Sequence, residues 1–79
     1  MMSDYKPIDC GLYSEYEVAI LHRSKLRLSW RDSPETVRIE VVTPNDLRTR
    51  HGEEFLLVSG QDGRQQEIRL DHILHCKPA

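Results

Sequence analysis

The residues of this chain best suited to metal or acid-base chemistry lie near its carboxyl end, at His72, His75 and Cys76. The remaining nitrogen and sulfur donors are Cys10, His22 and His51. Zinc takes four such ligands in a tetrahedral array, usually from closely spaced cysteine pairs, and this chain has no such pair. In a strand, His72 and His75 would also face opposite sides. We therefore expect exposed histidines and no bound metal.

The sequence offers no arrangement that would activate a nucleophile or hold a phosphate. Gly60 and Gly63 precede a predicted strand, whereas a phosphate-binding glycine loop opens a helix. Serine, histidine and aspartate all occur, but no spacing groups them into a catalytic set. We predict that the protein is not an enzyme, with no catalytic residue and no cofactor.

Length and composition are those of one small globular domain. The chain has 79 residues, of which 38% are apolar and 30% charged, and a domain of this size buries only about 60–65% of its unfolded surface. No apolar run approaches the roughly 20 residues that cross a bilayer, and the first residues lack a secretory-signal pattern. We expect a cytoplasmic protein. A reducing compartment would keep Cys10 and Cys76 as two small, partly buried thiols.

The formal net charge of −2 is unevenly distributed along the chain. Residues 1–20 carry four acids against one lysine, whereas residues 21–50 carry seven bases against four acids. An acidic element beside a basic segment suits a protein partner of mixed charge better than bare nucleic acid, for which a basic domain is expected. An ordinary solvated surface remains the plainer interpretation.

The amino-terminal part contains the one predicted helix. Ser14 and Glu17 fit a capping box, in which each side chain bonds to the other's backbone amide, so the helix is predicted to begin at Ser14. Pro7 and Gly11 argue against an earlier start, which makes residues 5–12 an ordered arm. The apolar stripe of the helix comprises Tyr16, Ala19 and Ile20.

From residue 25 the apolar period changes to two, which is typical of strands. The predicted strands cover residues 25–31, 37–41, 55–59, 65–70 and 73–76. A turn at residues 32–35 joins the first two in a hairpin. Pro44 is expected to end the second strand because proline has no ladder donor, which leaves residues 47–52 as a basic loop.

This element order predicts a mainly β fold of one helix and five short antiparallel strands. Closing such a sheet removes its exposed edges, as in a small Sm-like or OB-like barrel. The predicted organisation is a single domain, residues 1–79, with an arm and helix over residues 5–22 and a five-stranded antiparallel barrel over residues 25–77.

A strand face rich in bases leaves RNA binding open as a second hypothesis. These bases are Lys25, Arg27, Arg31 and Arg38, and the aromatic residues that would stack on RNA bases are Tyr13, Tyr16 and Trp30. Trp30 shares its face with Leu26 and Leu28, so a place in the core is favoured over a stacking platform.

Four short motifs, taken together and in order, resemble a known family. They are Tyr5-x-Pro7-Ile8-x-Cys10-x-x-Tyr13, Glu17-x-Ala19, Asp46-Leu47 and Glu67-Ile68-Arg69-Leu70-Asp71-x-Ile73. The chain resembles the Rof (YaeO) family of Rho-binding antiterminators over nearly its whole length. The resemblance implies an Sm-like barrel with an N-terminal helix, in a bacterial protein that binds the terminator Rho and blocks its capture of RNA.

The same resemblance implies a set of residues that contact Rho. They are Tyr13, Ser14, Glu15, Glu17, Arg48, Arg50 and His51. Glu17 would be the main anionic anchor, with Glu15 beside it, at the basic RNA sites on the amino-terminal domain of Rho. The three basic residues would meet acidic or polar groups. The alternative is a small Sm-like RNA-binding regulator.

Overall fold

One helix and a single antiparallel sheet make up the fold of residues 5–79, the part of the chain that the computed structural model describes. The elements are α1 (Cys10–His22), β1 (Leu26–Ser33), β2 (Thr36–Arg50), β3 (Glu53–Gly60), β4 (Gln65–Arg69), a 3₁₀ turn (Leu70–His72) and β5 (Ile73–Pro78). The sheet order is β4-β3-β2-β1-β5. The mainly β fold with one helix and five antiparallel strands is confirmed. Over the described residues the sheet is open, and no ladder joins its edge strands β4 and β5.

Helix α1 begins at Cys10, so the predicted start at Ser14 is wrong. Asp9 is the N-cap residue, and its carbonyl accepts the Tyr13 amide at 3.1 Å. Ser14 and Glu17 lie inside the helix, and no side-chain capping bond is formed. The helix therefore begins at Cys10 without a side-chain capping bond.

The additional turn is stabilised by packing. It brings Leu12 and Tyr13 against the core, as partly buried residues. Gly11 lies in the first turn, and the entropic cost of a glycine in a helix is about 0.5–1 kcal/mol, which the burial of one leucine offsets. The prediction that Gly11 would exclude the helix was wrong for this reason.

Strand β2 does not stop at Pro44, contrary to prediction. Its first half pairs with β1 as far as Val42, and from Val42 onward it pairs with β3. Pro44 lies beyond the β1 ladder, so no backbone N–H is needed on that side of the strand. Proline is tolerated at such a position because it lacks only this N–H. The register shifts between Pro44 and Asp46, which identifies a β-bulge and returns Leu47 to the core face opposite Leu56.

The predicted basic loop over residues 47–52 is instead the end of β2 and a two-residue turn. His51 and Gly52 have φ values of 53° and 78°, and they join Arg50 to Glu53 across the hairpin. Positive φ at both central residues is the geometry whose twist matches that of paired strands. The three basic residues predicted for this loop are therefore held on a hairpin.

The core lies between the inner face of the sheet and helix α1. Its fully or nearly buried apolar members are Tyr16, Ala19, Leu26, Leu28, Trp30, Val42, Leu56, Val58, Ile68 and Leu70. Trp30 has only 3% of its surface exposed, so its predicted place in the core is confirmed. On the opposite face of the β1–β2 hairpin, Val37 and Ile39 remain exposed.

Replacing Tyr16 by Phe is expected to raise the free energy of unfolding by about 1 kcal/mol. The side chain is fully buried, and its hydroxyl has no hydrogen-bond partner in the described part of the chain. Phe keeps the ring in place and removes a desolvated donor. Urea denaturation of both proteins measures the difference. A loss of stability would mean that the hydroxyl does have a partner.

The arm before α1 is fixed to the turn between β4 and β5. The Lys6 amide donates to Asp71 at 3.1 Å, and the Arg69 guanidinium lies 5.7 Å from the centre of the Tyr5 ring. Arg69 also donates to Asp71 at 2.6 and 2.8 Å, and to Glu53 at 3.1 Å. The first and last of the four family-like motifs therefore contact each other, and these contacts stabilise the fold.

Acid is expected to weaken this attachment through Asp71. Burial raises the pKa of its carboxyl, but the bonds from Arg69 and the Lys6 amide outweigh that effect and hold the pKa below its ordinary value of 3.8. A lowered folded-state pKa contributes stability above the unfolded-state pKa, and this contribution disappears as the pH falls through the folded-state value. Asp71→Asn should cost about 1–3 kcal/mol at neutral pH and flatten the pH dependence of stability below pH 3.8. Urea denaturation over a pH series tests both effects.

Candidate protein-binding surface

Helix α1 packs on the sheet with Tyr16 and Ala19 buried and Leu12, Tyr13 and Ile20 partly buried, and its outward side is exposed. Two apolar residues, Val18 and Leu21, are 55% and 79% exposed on the outward side. Glu15 and Glu17 are exposed as well, and no described base lies within 4.0 Å of either carboxylate. An exposed helix with apolar and acidic side chains that have no partner in the described chain is suited to contact another molecule.

A groove of about 370 Å³, here called the Glu17 groove, runs between α1 and β2. It is lined by Tyr13, Glu17, Ile20, Leu21, Asp46 and Leu47. The walls are apolar, and two of the lining residues carry a carboxylate. One oxygen of Asp46 accepts the Leu47 amide at 2.8 Å, which leaves the other available.

Tyr13 brings a third carboxylate to the end of this groove. The carboxylate of Glu54, on β3, lies near the Tyr13 hydroxyl. Burial raises the Tyr13 pKa above its ordinary value, and the negative charges of Glu54 and Glu17 raise it further. Three carboxylates, those of Glu54, Glu17 and Asp46, therefore act on the Tyr13 hydroxyl. Lysine and arginine combine an apolar stem with a cationic end, which matches this groove in both respects.

Glu15 lies on the other flank of the helix. Residues two apart in an α-helix are separated by about 200° around the axis, so Glu15 and Glu17 do not share a face. A second groove of about 400 Å³, here called the Glu15 groove, lies between α1 and the β1–β5 pair. It is lined by Ser14, Glu15, Val18, Ala19, Ser24, Leu26, Cys76 and Pro78. The two glutamates expected side by side therefore belong to two separate grooves.

The arginines in the predicted contact set are already paired within the chain. Arg48 lies 3.6 Å from one Glu67 oxygen, Arg50 is bonded to the other oxygen, and the Arg50 guanidinium lies 4.9 Å from the centre of the Phe55 ring. Arg48 is in register with Phe55, on the face of the sheet opposite to Leu47. The structure thus groups Tyr13 with Glu17, and Arg48 with Arg50, but does not bring the two groups together. His51 is exposed at the adjacent turn.

Sequence reasoning missed Asp46 and Leu47, which line the Glu17 groove, and Glu54, which lies near Tyr13. The Asp46-Leu47 pair was noted as a motif of the resemblance but was not given a place in the site. Glu54 had no recognisable signal, since only the packing of α1 beside the β2–β3 hairpin brings it to Tyr13.

Other kinds of site have little support in the part of the chain that the structure describes. No group of three or more His, Cys, Asp or Glu side chains there is arranged to hold a metal ion. Both cysteines are free thiols; Cys76 is half-buried, as expected, whereas Cys10 is exposed. Among residues 5–79, no helix has the length and apolar character needed to cross a membrane.

In comparisons with known proteins, no family model and no curated protein matched this chain. Its fold and surface define it as a small, mainly β domain with an exposed helix between two carboxylate-bearing grooves. The resemblance to the Rof family remains a prediction.

Proposed function

We propose that this protein is a non-enzymatic inhibitor of Rho-dependent transcription termination. It binds the amino-terminal RNA-binding domain of Rho and blocks RNA access to the primary sites. The observation that carries this proposal is the Glu17 groove, in which Glu17 and Asp46 flank apolar walls and make no ion pair with a described base. The resemblance of the sequence motifs to the Rof family agrees with this function.

The mechanism is competition by charge and by steric exclusion. A surface that binds RNA presents basic side chains to phosphates, and the carboxylates of Glu17 and Asp46 in the groove, with Glu54 near Tyr13, would present negative charge to those side chains instead. Apolar walls at Ile20 and Leu47 contact the stems of those basic side chains and exclude water. The helix then occupies the position of the RNA, and no bond is made or broken.

The fold proposed with this function is an Sm-like barrel. Support for this fold comes from a cavity of about 330 Å³ that is lined by residues of β1 together with residues of β3 and β4. Neither β3 nor β4 is a neighbour of β1 in the sheet, so a shared cavity indicates that the sheet is strongly curved across its width. The β1 residues are Trp30, Arg31 and Asp32. The 3₁₀ turn Leu70–His72, which connects the two edge strands, is also consistent with such curvature.

A competition titration tests the proposed function. Labelled single-stranded RNA is bound to the Rho hexamer, and the unlabelled protein is added while fluorescence anisotropy reports the bound RNA. We expect the RNA to be displaced, and added RNA to release the protein in the reverse titration. Absence of binding, or a complex in which Rho keeps its RNA affinity, would contradict the proposal.

The alternative, an RNA-binding regulator, has one supporting observation on the outer sheet face. Arg27 is in register with Lys77, and this pair lies on the same face as the exposed residues Val37 and Ile39. Stacking would need other aromatic side chains, because Tyr16 and Trp30 are buried. Direct RNA binding with a steep salt dependence, in the absence of Rho, would favour this alternative.

A further inference from the structure

We propose that the Glu15 groove receives a lysine or arginine side chain of the same partner, so that the partner contacts both flanks of α1. This inference rests on the proposed function, because it adds a second contact to the complex with Rho. The Glu17 groove would hold one cation and the Glu15 groove another.

The Glu15 groove has the shape and lining for such a side chain. Its walls include Val18, Ala19, Leu26 and Pro78, and its volume of about 400 Å³ is in the range of small ligand sites. Among its lining residues only Glu15 is charged. The apolar stem of a lysine or arginine would lie along the walls, with the cationic end at the carboxylate.

The neighbouring bases of this protein do not fill the groove. Cys76 and Pro78 line it, whereas Lys77, between them in β5, is on the opposite face of the strand and in register with Arg27. Glu15 forms no ion pair with a described base. Burial raises the pKa of the Cys76 thiol, and the negative charge of Glu15 raises it further. The Glu15 carboxylate is therefore close enough to affect a group that lines the groove. The groove therefore carries a negative charge that an incoming cation would neutralise.

The outward side of α1 connects the two grooves. Val18 and Leu21 are exposed between them, and they would form the apolar centre of a contact that has one acidic groove on each side. An α-helix with its side chains is about 10–12 Å across, so the two cations on the partner should be separated by about that distance. This spacing allows a single basic cleft to contact both flanks.

Cys76 provides a native probe of occupancy, because it is the only cysteine in the groove. In a Cys10→Ser protein, the rate of Cys76 alkylation by iodoacetamide is measured by mass spectrometry, with and without saturating Rho. We expect Rho to slow the reaction about tenfold. The matched control is His75→Cys in a chain whose two native cysteines are serine. This thiol is exposed on the other face of β5, and its alkylation rate should not change.

A second measurement tests the charge of the groove. Glu15→Gln should lower Rho affinity about tenfold, as expected for the loss of one desolvated charge contact, whereas Glu35→Gln in the exposed β1–β2 turn should have no effect. If Rho binds with unchanged affinity to Glu15→Gln and does not protect Cys76, the second contact is wrong while the proposed function stands. If Rho does not bind the unmodified protein, both are wrong.

Discussion

Glu17→Lys is expected to weaken the complex with Rho by roughly 30- to 1,000-fold, equivalent to about 2–4 kcal/mol. The substitution replaces the anionic anchor of the Glu17 groove by a cation and leaves Asp46 to face it. A lysine of the protein would then repel the basic side chains of the partner and could pair with Asp46. RNA displacement from Rho, measured as a function of protein concentration, gives the change in affinity.

The fold of the Glu17→Lys protein should be preserved, since Glu17 is exposed and makes no ion pair with a described base. Its melting temperature therefore serves as the internal check. Glu35→Lys is the matched control, because it makes the same change of charge at an exposed turn away from α1. Equal Rho affinity for the two variants would show that the effect is one of net charge alone and would place the contact elsewhere.

Salt dependence adds independent information on this contact. Exposed charges are screened over about 10 Å at 0.1 M salt, so long-range attraction between an acidic helix and a basic cleft fades as salt is added. Partly desolvated pairs within the groove are screened less. Added salt should therefore slow the association of the protein with Rho. The difference in Rho affinity between the unmodified protein and Glu17→Lys should persist at the same salt concentrations.

The order of elements could be predicted because its signals are local. The alternation of Leu26, Leu28 and Trp30 identified β1, and all three residues are buried as that alternation requires. Pro44 led to a wrong strand end because the missing backbone N–H matters only where a neighbouring strand would accept a hydrogen bond from it. Which strand lies beside each part of β2 depends on the arrangement of the whole sheet, which the local sequence does not specify. In the same way, the start of α1 depends on what Leu12 and Tyr13 pack against.

The candidate site could be predicted only in part, for the same physical reason. Glu17 and Tyr13 are close in sequence, and the helix brings both to one groove. Asp46 reaches that groove from β2, and Glu54 approaches Tyr13 from β3, and both are far from the helix along the chain. The pairing of Arg48 and Arg50 with Glu67 depends on the register of three strands, so the sequence predicted two bases of a loop that meet a partner, whereas the structure pairs both within the chain.

The pairing of these arginines bears on how they would act in a complex. Both are about half exposed, so each has donors left for a partner, and isolated surface pairs contribute only about 0–1 kcal/mol. Glu67 holds the two guanidinium groups close together, so they are oriented before a partner binds. The ion pairs with Glu67 therefore do not prevent Arg48 and Arg50 from contacting Rho. Such a contact would lie on the face of the sheet opposite to Leu47.

Trp30→Ala is expected to reduce the free energy of unfolding by about 3–5 kcal/mol. The indole is 3% exposed and lies in the same buried cluster as Leu28 and Leu70. A 79-residue domain has only about 4–12 kcal/mol of stability, so this loss could remove most of it. Urea denaturation monitored by circular dichroism measures the change without depending on tryptophan fluorescence.

The comparison with Val37→Ala makes the Trp30 result specific. Val37 is 48% exposed on the opposite face of the same hairpin, and its truncation should change stability by less than about 0.5 kcal/mol. A stacking platform would show the reverse pattern, with Trp30→Ala leaving the fold intact and weakening RNA binding instead. A loss below about 1 kcal/mol for Trp30→Ala would contradict the core assignment and restore the indole as a candidate base-stacking surface. The size of one unfolding free energy therefore separates a core role for Trp30 from the role that direct RNA recognition would require.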